Sequence, residues 1–267
     1  MTMKHALTHL PEIQERLRRA KRAALMLDFD GTLSPFVPLP HRAYLPAPSR
    51  RMLRELNQVW PVCIVTGRPL SVIQRKVGVP EFIYGASHGL EWSVEGAERV
   101  RDVPKDVLRA FTGLRRAVRR LRRTYPKLRE EKKRFAVTFH YHLAPRADRK
   151  SVLQSIKKLL LPIRRNPRIR ILWERETFDI VPKLEWTKGD IALHMLTYLR
   201  KKTGYPRLPL YIGDGATDED AFRALRKGIT IRVGRKKDSA AKYYVSRRGE
   251  VDILLEKLLG IARRKRG

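Results

Sequence analysis

The segment Ala24 to Leu33 reads Ala-Leu-Met-Leu-Asp-Phe-Asp-Gly-Thr-Leu: an apolar run stopped by two carboxylates, Asp28 and Asp30, one residue apart. Two carboxylates this close repel each other. They persist together when a cation lies between them or when one holds a proton. The pair suits a metal-assisted nucleophile, Asp28, with Asp30 as its acid/base partner. Three further signals fall at comparable places. Thr66 ends the run Val62 to Val65, Lys188 opens a helical segment, and Asp214 and Asp218 follow the run Leu208 to Gly213. Oxygen-only ligands favour Mg²⁺ over zinc.

Phosphate monoesters fit such a set. Their spontaneous hydrolysis is so slow that enzymes supply accelerations of up to ~10²¹. A carboxylate nucleophile is already ionised at pH 7. Its repulsion from the phosphate is offset by the metal, by Lys188 and by the Thr66 hydroxyl. Asp30 then protonates the leaving oxygen and afterwards deprotonates water. To act first as an acid it must hold a proton, which a neighbouring anion favours.

These groups need strand ends to carry them. The run ending at Asp28 reads as a buried parallel strand, and open α/β sheets bind ligands beyond the carboxyl ends of such strands. Helices are expected near Pro11 to Arg19, Ser49 to Gln58 and Ser71 to Val77, alternating with strands at Val62 to Val65 and Phe82 to Gly85. Between the first strand and the second helix runs a proline-rich loop, Ser34 to Pro48. That alternation implies a doubly wound parallel sheet. The pattern then changes to helix, two strands, helix, two strands, with an apolar stripe Leu108, Phe111, Leu114, Val118 and Leu121 on the first helix. It resumes after Lys188, with strands at Leu208 to Gly213, Ile229 to Val233 and Tyr243 to Val245 and a last helix near Val251 to Ala262. The expected fold is α/β: a Rossmann-like core over residues 1–103 and 183–267, with an inserted α+β cap domain over residues 104–182 that covers the sheet's carboxyl edge.

The chain of 267 residues can bury a sizeable core. Its single cysteine, Cys63, permits no internal disulfide and lies in an apolar strand. A reducing cytoplasm suits it, and no apolar run approaches the ~20 residues a membrane span needs. Lys and Arg number 59 against 27 Asp and Glu, a formal charge of +32. Such a field attracts anions without saying which.

The order Asp28-Phe29-Asp30-Gly31-Thr32, Thr66, Lys188, Asp214 resembles the four signature motifs of the haloacid dehalogenase superfamily of phosphatases. The resemblance implies a Mg²⁺ held by Asp28, the Asp30 backbone carbonyl and Asp214, with Asp218 as a supporting carboxylate. Within the superfamily, Asp28 to Pro35, Val65-Thr66-Gly67-Arg68, Gly85-Ala86-Ser87-His88-Gly89, His140-Tyr141, Trp186-Thr187-Lys188-Gly189 and Gly213 to Phe222 resemble the trehalose-6-phosphate phosphatases. That family implies sugar contacts from Glu131, Lys133 and Asp179. Gly67, Arg68, His88 and His140 join them as candidate substrate-binding residues. For Glu131 and Lys133 a solvated charge run is the alternative; for His88 it is a bond to a backbone carbonyl.

The chain departs from the family at five residues. His142 stands where the family has arginine, Val181 likewise, Thr187 stands for aspartate, and Gly215 stands for a second aspartate. Asp179 is one methylene shorter than the family's glutamate. The reading is therefore a Mg²⁺-dependent phosphatase of a phosphorylated disaccharide, trehalose 6-phosphate, working as a monomer without membrane or obligatory nucleic acid. Two alternatives stay open. One is the same chemistry on sucrose phosphate or a glycosyl-glycerol or glycosyl-glycerate phosphate. The other is a nucleic-acid-binding protein on a phosphatase scaffold; weak, non-specific polyanion binding is compatible with either.

Overall fold

The computed structural model describes residues 3–37, 39–125, 129–132, 135, 137–140, 144–145, 147–164, 167, 169–174, 177–182 and 186–264. It divides into two compact units, Met1–Val100 with Trp186–Gly267, and Arg101–Glu185. The boundaries fall three residues outside those expected from the sequence on either side.

The first unit opens with a two-residue strand β1 (Lys4–His5), helix α1 (Leu10–Arg19), strand β2 (Ala23–Leu27), helix α2 (Ala47–Asn57), strand β3 (Val62–Val65), helix α3 (Leu70–Val77) and strand β4 (Ile83–Ala86). A hairpin, β5 (Glu91–Val94) and β6 (Ala97–Val100), follows. The second unit consists of α4 (Lys105–Thr124), β7 (Arg129–Lys132), β8 (Val137–His140), α5 (Arg149–Arg164), β9 (Ile169–Glu174) and β10 (Thr177–Pro182). The chain returns to the first unit with α6 (Lys188–Thr203), β11 (Leu208–Gly213), α7 (Asp218–Ala224), β12 (Ile229–Val233), β13 (Tyr243–Val245) and α8 (Gly249–Arg263). No helix among the described residues is long and apolar enough to cross a membrane.

The first unit's sheet has the order β1-β13-β12-β11-β2-β3-β4-β5-β6, parallel except for the β5–β6 edge. All five residues of β2 are buried, because both faces of the strand are covered. Leu25 and Leu27 join the core that contains Ile13, Leu53, Ile73 and Leu254, from α1, α2, α3 and α8. Ala24 and Met26 turn the other way, onto Ile191 and Met195 of α6 and Phe222 of α7. The period-2 alternation of a strand thus feeds two helix layers. Full burial of Leu25 or Leu27 stabilises by about 1.5–3 kcal/mol each, and truncation to Ala would cost about 2–5 kcal/mol.

The second unit is a four-stranded antiparallel sheet in the order β7-β8-β10-β9. Val137, Phe139, Phe178 and Ile180 pack with Val107 of α4 and with Val152, Ile156 and Leu160 of α5. Thr138, His140 and Asp179, one residue out of step, belong to the opposite face.

Candidate active site

The strand order sets the site. β2 lies between β11 and β3, with Leu27 level with Ile212 on one side and Ile64 on the other. The three motif-bearing strands are neighbours, so Asp28, Thr66 and Asp214 leave adjacent strand ends. The chain crosses to opposite sides of β2 to reach β3 and β11, the switch point at which doubly wound sheets form their crevice.

Asp28 is 5 % exposed and anchored by its amide, which donates to the Ile212 carbonyl at 2.9 Å. Lys188 is likewise buried. Its Nζ donates to Asp28 Oδ1 at 2.9 Å and to Asp218 Oδ1 at 2.9 Å. Helix α6 aims that lysine from its first turn. Thr187 caps the helix, accepting from the amides of Gly189 and Asp190, while Asp190 accepts from the Thr187 amide at 2.7 Å. The threonine that departs from the family pattern therefore closes a capping box that fixes where α6 begins.

Asp218 is fully buried and accepts from three donors: Lys188, the Tyr211 hydroxyl at 2.7 Å and the Gly215 amide at 2.9 Å. Gly215, the other departure in this region, thus serves through its backbone. Ligand oxygens of Asp28, Asp214 and Asp218 all lie within 4.8 Å of one another. Three acids therefore surround one ammonium. Burial pushes the Asp28 carboxyl well above the ordinary carboxylate range; Lys188 pulls it back, and Asp218 and Asp214 push it up again. Burial, then the Asp218 charge, raises Asp214 to about 6. Burial alone would lower Lys188, but Asp218 and Asp28 outweigh it and hold the ammonium above its usual value.

This imbalance fits a small hard cation. The donors are all carboxylates, and they carry more negative charge than one lysine neutralises. Asp218 is committed to its three donors, which leaves Asp28 and Asp214 as the carboxylates suited to Mg²⁺. Gly31 lies at the mouth of this group with φ +74°, and a Cβ there would sit 2.2 Å from Asp214 Oδ2. Only glycine allows both the left-handed turn and that approach.

Asp30 differs from the expectation. Its side chain is half exposed and points to Arg68, whose Nε and Nη2 donate to its two oxygens at 2.7 and 2.6 Å. The neighbour is a cation, not the anion expected from the sequence. The Asp30 carboxylate is not one of the three grouped acids, so only its backbone carbonyl remains for a metal.

Thr66 is buried, and its Oγ1 accepts from the Arg68 amide at 3.2 Å. The loop Thr66 to Arg68 is fixed from outside. The Ser87 amide donates to the Arg68 carbonyl at 2.8 Å, and the His88 amide to the Thr66 carbonyl at 3.2 Å. Ser87 and His88 both adopt positive φ, 49° and 57°. Backbone of this kind is costly in non-glycine residues and marks functional turns. The His88 ring covers Gly67 so closely that a Cβ on Gly67 would meet it at 2.5 Å. Sequence reasoning missed the buried Glu91, which accepts from the Ser87 hydroxyl and from the Leu70 amide at 3.3 Å. It also missed Tyr211 and the Arg232–Glu219 pair at 2.9 Å, which braces the Gly215 turn through the Gly215 carbonyl. Tyr211 alone carried a signal, a hydroxyl on the strand leading to Asp214.

In the second unit, Asp179 accepts from the Thr138 hydroxyl, and Asp179, Thr138 and His140 are buried. Glu131 is the register partner of Thr138, so β7 brings its backbone beside this pair. Lys133 lies outside the described residues.

Comparison with known proteins gives the family. The trehalose-phosphatase family model matches residues 26–248. The chain is 30% identical to an Arabidopsis thaliana protein named probable trehalose-phosphate phosphatase I, over 95% of this chain and 72% of that one. It is 32% identical to the trehalose-phosphate phosphatase of Mycobacterium bovis, over 76% of this chain and 51% of that one. The C-terminal domain of Candida albicans trehalose-6-phosphate phosphatase superposes with a TM-score of 0.78 at 20% identity, covering 98% of both chains. A haloacid dehalogenase-like hydrolase from Bacteroides thetaiotaomicron shares the fold at a TM-score of 0.59 and 14% identity, covering 89% of this chain and 99% of that one. The chain therefore belongs to the trehalose-phosphatase family, phosphoric monoester hydrolases of the haloacid dehalogenase fold.

Proposed function

We propose that the chain hydrolyses trehalose 6-phosphate to trehalose and phosphate, with Mg²⁺ and through a phosphorylated Asp28. The observation that carries this reading is the surplus of buried negative charge around Lys188. Mg²⁺ held by Asp28, Asp214 and the Asp30 carbonyl would offset that surplus and polarise the phosphoryl group. Lys188 holds Asp28 by Oδ1 and fixes its direction of attack. The Thr66 hydroxyl accepts from a backbone amide, so its own proton is left to donate to a phosphoryl oxygen. A bond forms from Asp28 oxygen to phosphorus while the bond to the sugar oxygen breaks, and Asp30 gives that oxygen its proton. Water then attacks phosphorus, returns a proton to Asp30 and releases Asp28.

Arg68 sets a condition on Asp30. Both Asp30 oxygens accept from the guanidinium, so Asp30 reaches the leaving oxygen only by releasing Arg68. Arg68 is then free to grip phosphate oxygens, to which its planar fork is suited. The unit Arg101–Glu185 selects the sugar in this reading, with Asp179, His140, Glu131 and Lys133 as its contacts and His88 and Gly67 shaping the phosphate end.

The sugar is supported by the names of the relatives, and the altered segment His140-Tyr141-His142 is the feature that favours a different disaccharide. Phosphate release across trehalose 6-phosphate, sucrose phosphate and glycosyl-glycerol and glycosyl-glycerate phosphates separates the two. The expected preference for trehalose 6-phosphate in kcat/KM is about 10²-fold. A preference for another member would overturn the substrate and leave the reaction.

A further inference from the structure

The net charge of +32 is not spread evenly. Residues 101–185 hold 25 Lys and Arg against 9 Asp and Glu, so this third of the chain carries half of the net charge. Within it, α4 and α5 hold 13 basic residues and a single acid, Asp106. Helices of the first unit treat the same residue types differently. On α1, Arg18 and Arg19 pair with Glu15 at 2.7 and 2.6 Å, and on α8 Arg263 pairs with Glu55. A solvated helix face ordinarily interleaves both signs in this way. On α4 the like charges stand in a row: Arg109, Arg116, Arg120 and Arg123 are exposed and fall within about 60° of one another around the helix, with Arg119 beside them. The row is ~21 Å long. Val107 lies on the far side of the helix, buried in the unit's core, so the row faces away from the sheet.

We propose that this arginine row on α4, flanked by Lys150, Lys157 and Lys158 of α5, is a binding surface for the phosphate backbone of a nucleic-acid duplex. The match is one of charge spacing and chemistry. A duplex presents about one negative charge per 1.7 Å of axis, so the row spans on the order of a dozen phosphates. The side chains on α4 are arginines, whose fork pairs with phosphate oxygens, rather than the point charges of lysine. Among the described residues between them, the exposed ones other than arginine are Thr112 and Gly113, too small to anchor in lipid. No exposed aromatic residue interleaves the arginines at the described positions, so the surface reads backbone and not base. This surface belongs to the second unit and the Asp28–Lys188 cluster to the first, and its occupant need not be a substrate.

The test uses the full chain and a labelled 20-base-pair duplex of arbitrary sequence, read by fluorescence anisotropy between 50 and 200 mM salt. Binding should weaken with a log–log slope of about −4, one unit per phosphate contacted. The quadruple variant R109Q/R116Q/R120Q/R123Q should weaken binding at least about tenfold and flatten the slope by about three units, with phosphatase turnover unchanged. A control that removes equal charge from the first unit, R51Q/K201Q/R226Q/K227Q, should change affinity far less. Equal loss in the control would show a general field effect and overturn the proposal, as would absence of binding at 50 mM salt. Tighter binding to phosphatidylserine vesicles than to the duplex would also overturn it, in favour of a lipid surface. Melting curves of both variants confirm that each is folded. The readout is binding, so its failure would leave the phosphatase reading untouched.

Discussion

The two units each bury an aspartate, and they treat it in opposite ways. Asp179 of the second unit accepts from a neutral donor, the Thr138 hydroxyl, and shares a sheet face with His140. Asp28 of the first unit faces a lysine that it shares with Asp218, and a third acid, Asp214, stands within reach. The first arrangement includes a neutral hydrogen bond, which in the proposed function suits the hydroxyl groups of a sugar. The second stores like-charge repulsion that a cation or a bound proton relieves, and a cation there suits chemistry on a phosphate. A recognition site tolerates loss of one group in proportion to one contact; a charge cluster does not.

Replacing the nucleophile should sharpen that contrast most. Asp28→Asn keeps the shape and should reduce kcat by about 10⁴-fold or more, as removal of a covalent nucleophile does elsewhere. The variant should melt no lower than wild type, since a repelling charge is gone. Turnover within tenfold of wild type would break the contrast.

Removing the shared cation is next. Lys188→Met leaves Asp28 and Asp218 buried without their counter-charge, a loss expected to destabilise by about 3–5 kcal/mol and to abolish turnover. Urea unfolding without metal measures the first and phosphate release the second. A stability change under about 1 kcal/mol would mean that the acids are not held together by Lys188.

The third effect is one of pH. Asp214 is raised from 3.8 to about 6 in the folded chain. A carboxyl whose folded pKa lies above its unfolded value contributes stability below the unfolded value, and that contribution is lost as pH rises through the folded one. Metal-free wild type should therefore lose stability relative to Asp214→Asn between about pH 4 and 6. Mg²⁺ added above pH 6 should restore it. Parallel curves for the two proteins in EDTA would contradict the shift.

The smallest effect belongs to the aspartate of the second unit. Asp179→Asn should raise KM for trehalose 6-phosphate about tenfold, worth one hydrogen bond to a charged group. Its turnover of p-nitrophenyl phosphate, which has no sugar, should stay at the wild-type level. Equal loss on both substrates would remove the distinction between recognition and chemistry.

Much of the first unit could be read from the chain because buried parallel strands announce themselves. β2, β3 and β11 are short apolar runs that stop at a polar residue, and that polar residue is the candidate for chemistry. The hairpin β5–β6 was less visible: every residue of β6 is exposed, so hydrophobic patterning is silent. Its clue was the turn pair Glu95-Gly96, with φ 53° and 78°, the backbone of a two-residue hairpin turn. The two-residue β1 is too short for any period to show.

Site geometry divided along the same line. Lys188 between Asp28 and Asp218 follows from motif order and strand adjacency. Arg68 on Asp30 does not, because two loops from different strands meet there and the rotamer of Asp30 decides its partner. Glu91 was equally hidden. A lone glutamate opening a hairpin strand gives no sign that it will fold under a strained Ser87–His88 turn and hold it. Local patterns reveal which residues end strands; they do not reveal which side chains share a charge.

The claim that the acid cluster needs a cation before it can accept a phosphate ester is tested by one titration. The chain is stripped with EDTA, and phosphate release from trehalose 6-phosphate is followed as Mg²⁺ is returned. The expected result is no release above background in EDTA and saturable recovery with Mg²⁺, absent in Asp214→Asn at the same concentrations. Equal release with and without chelator would contradict it.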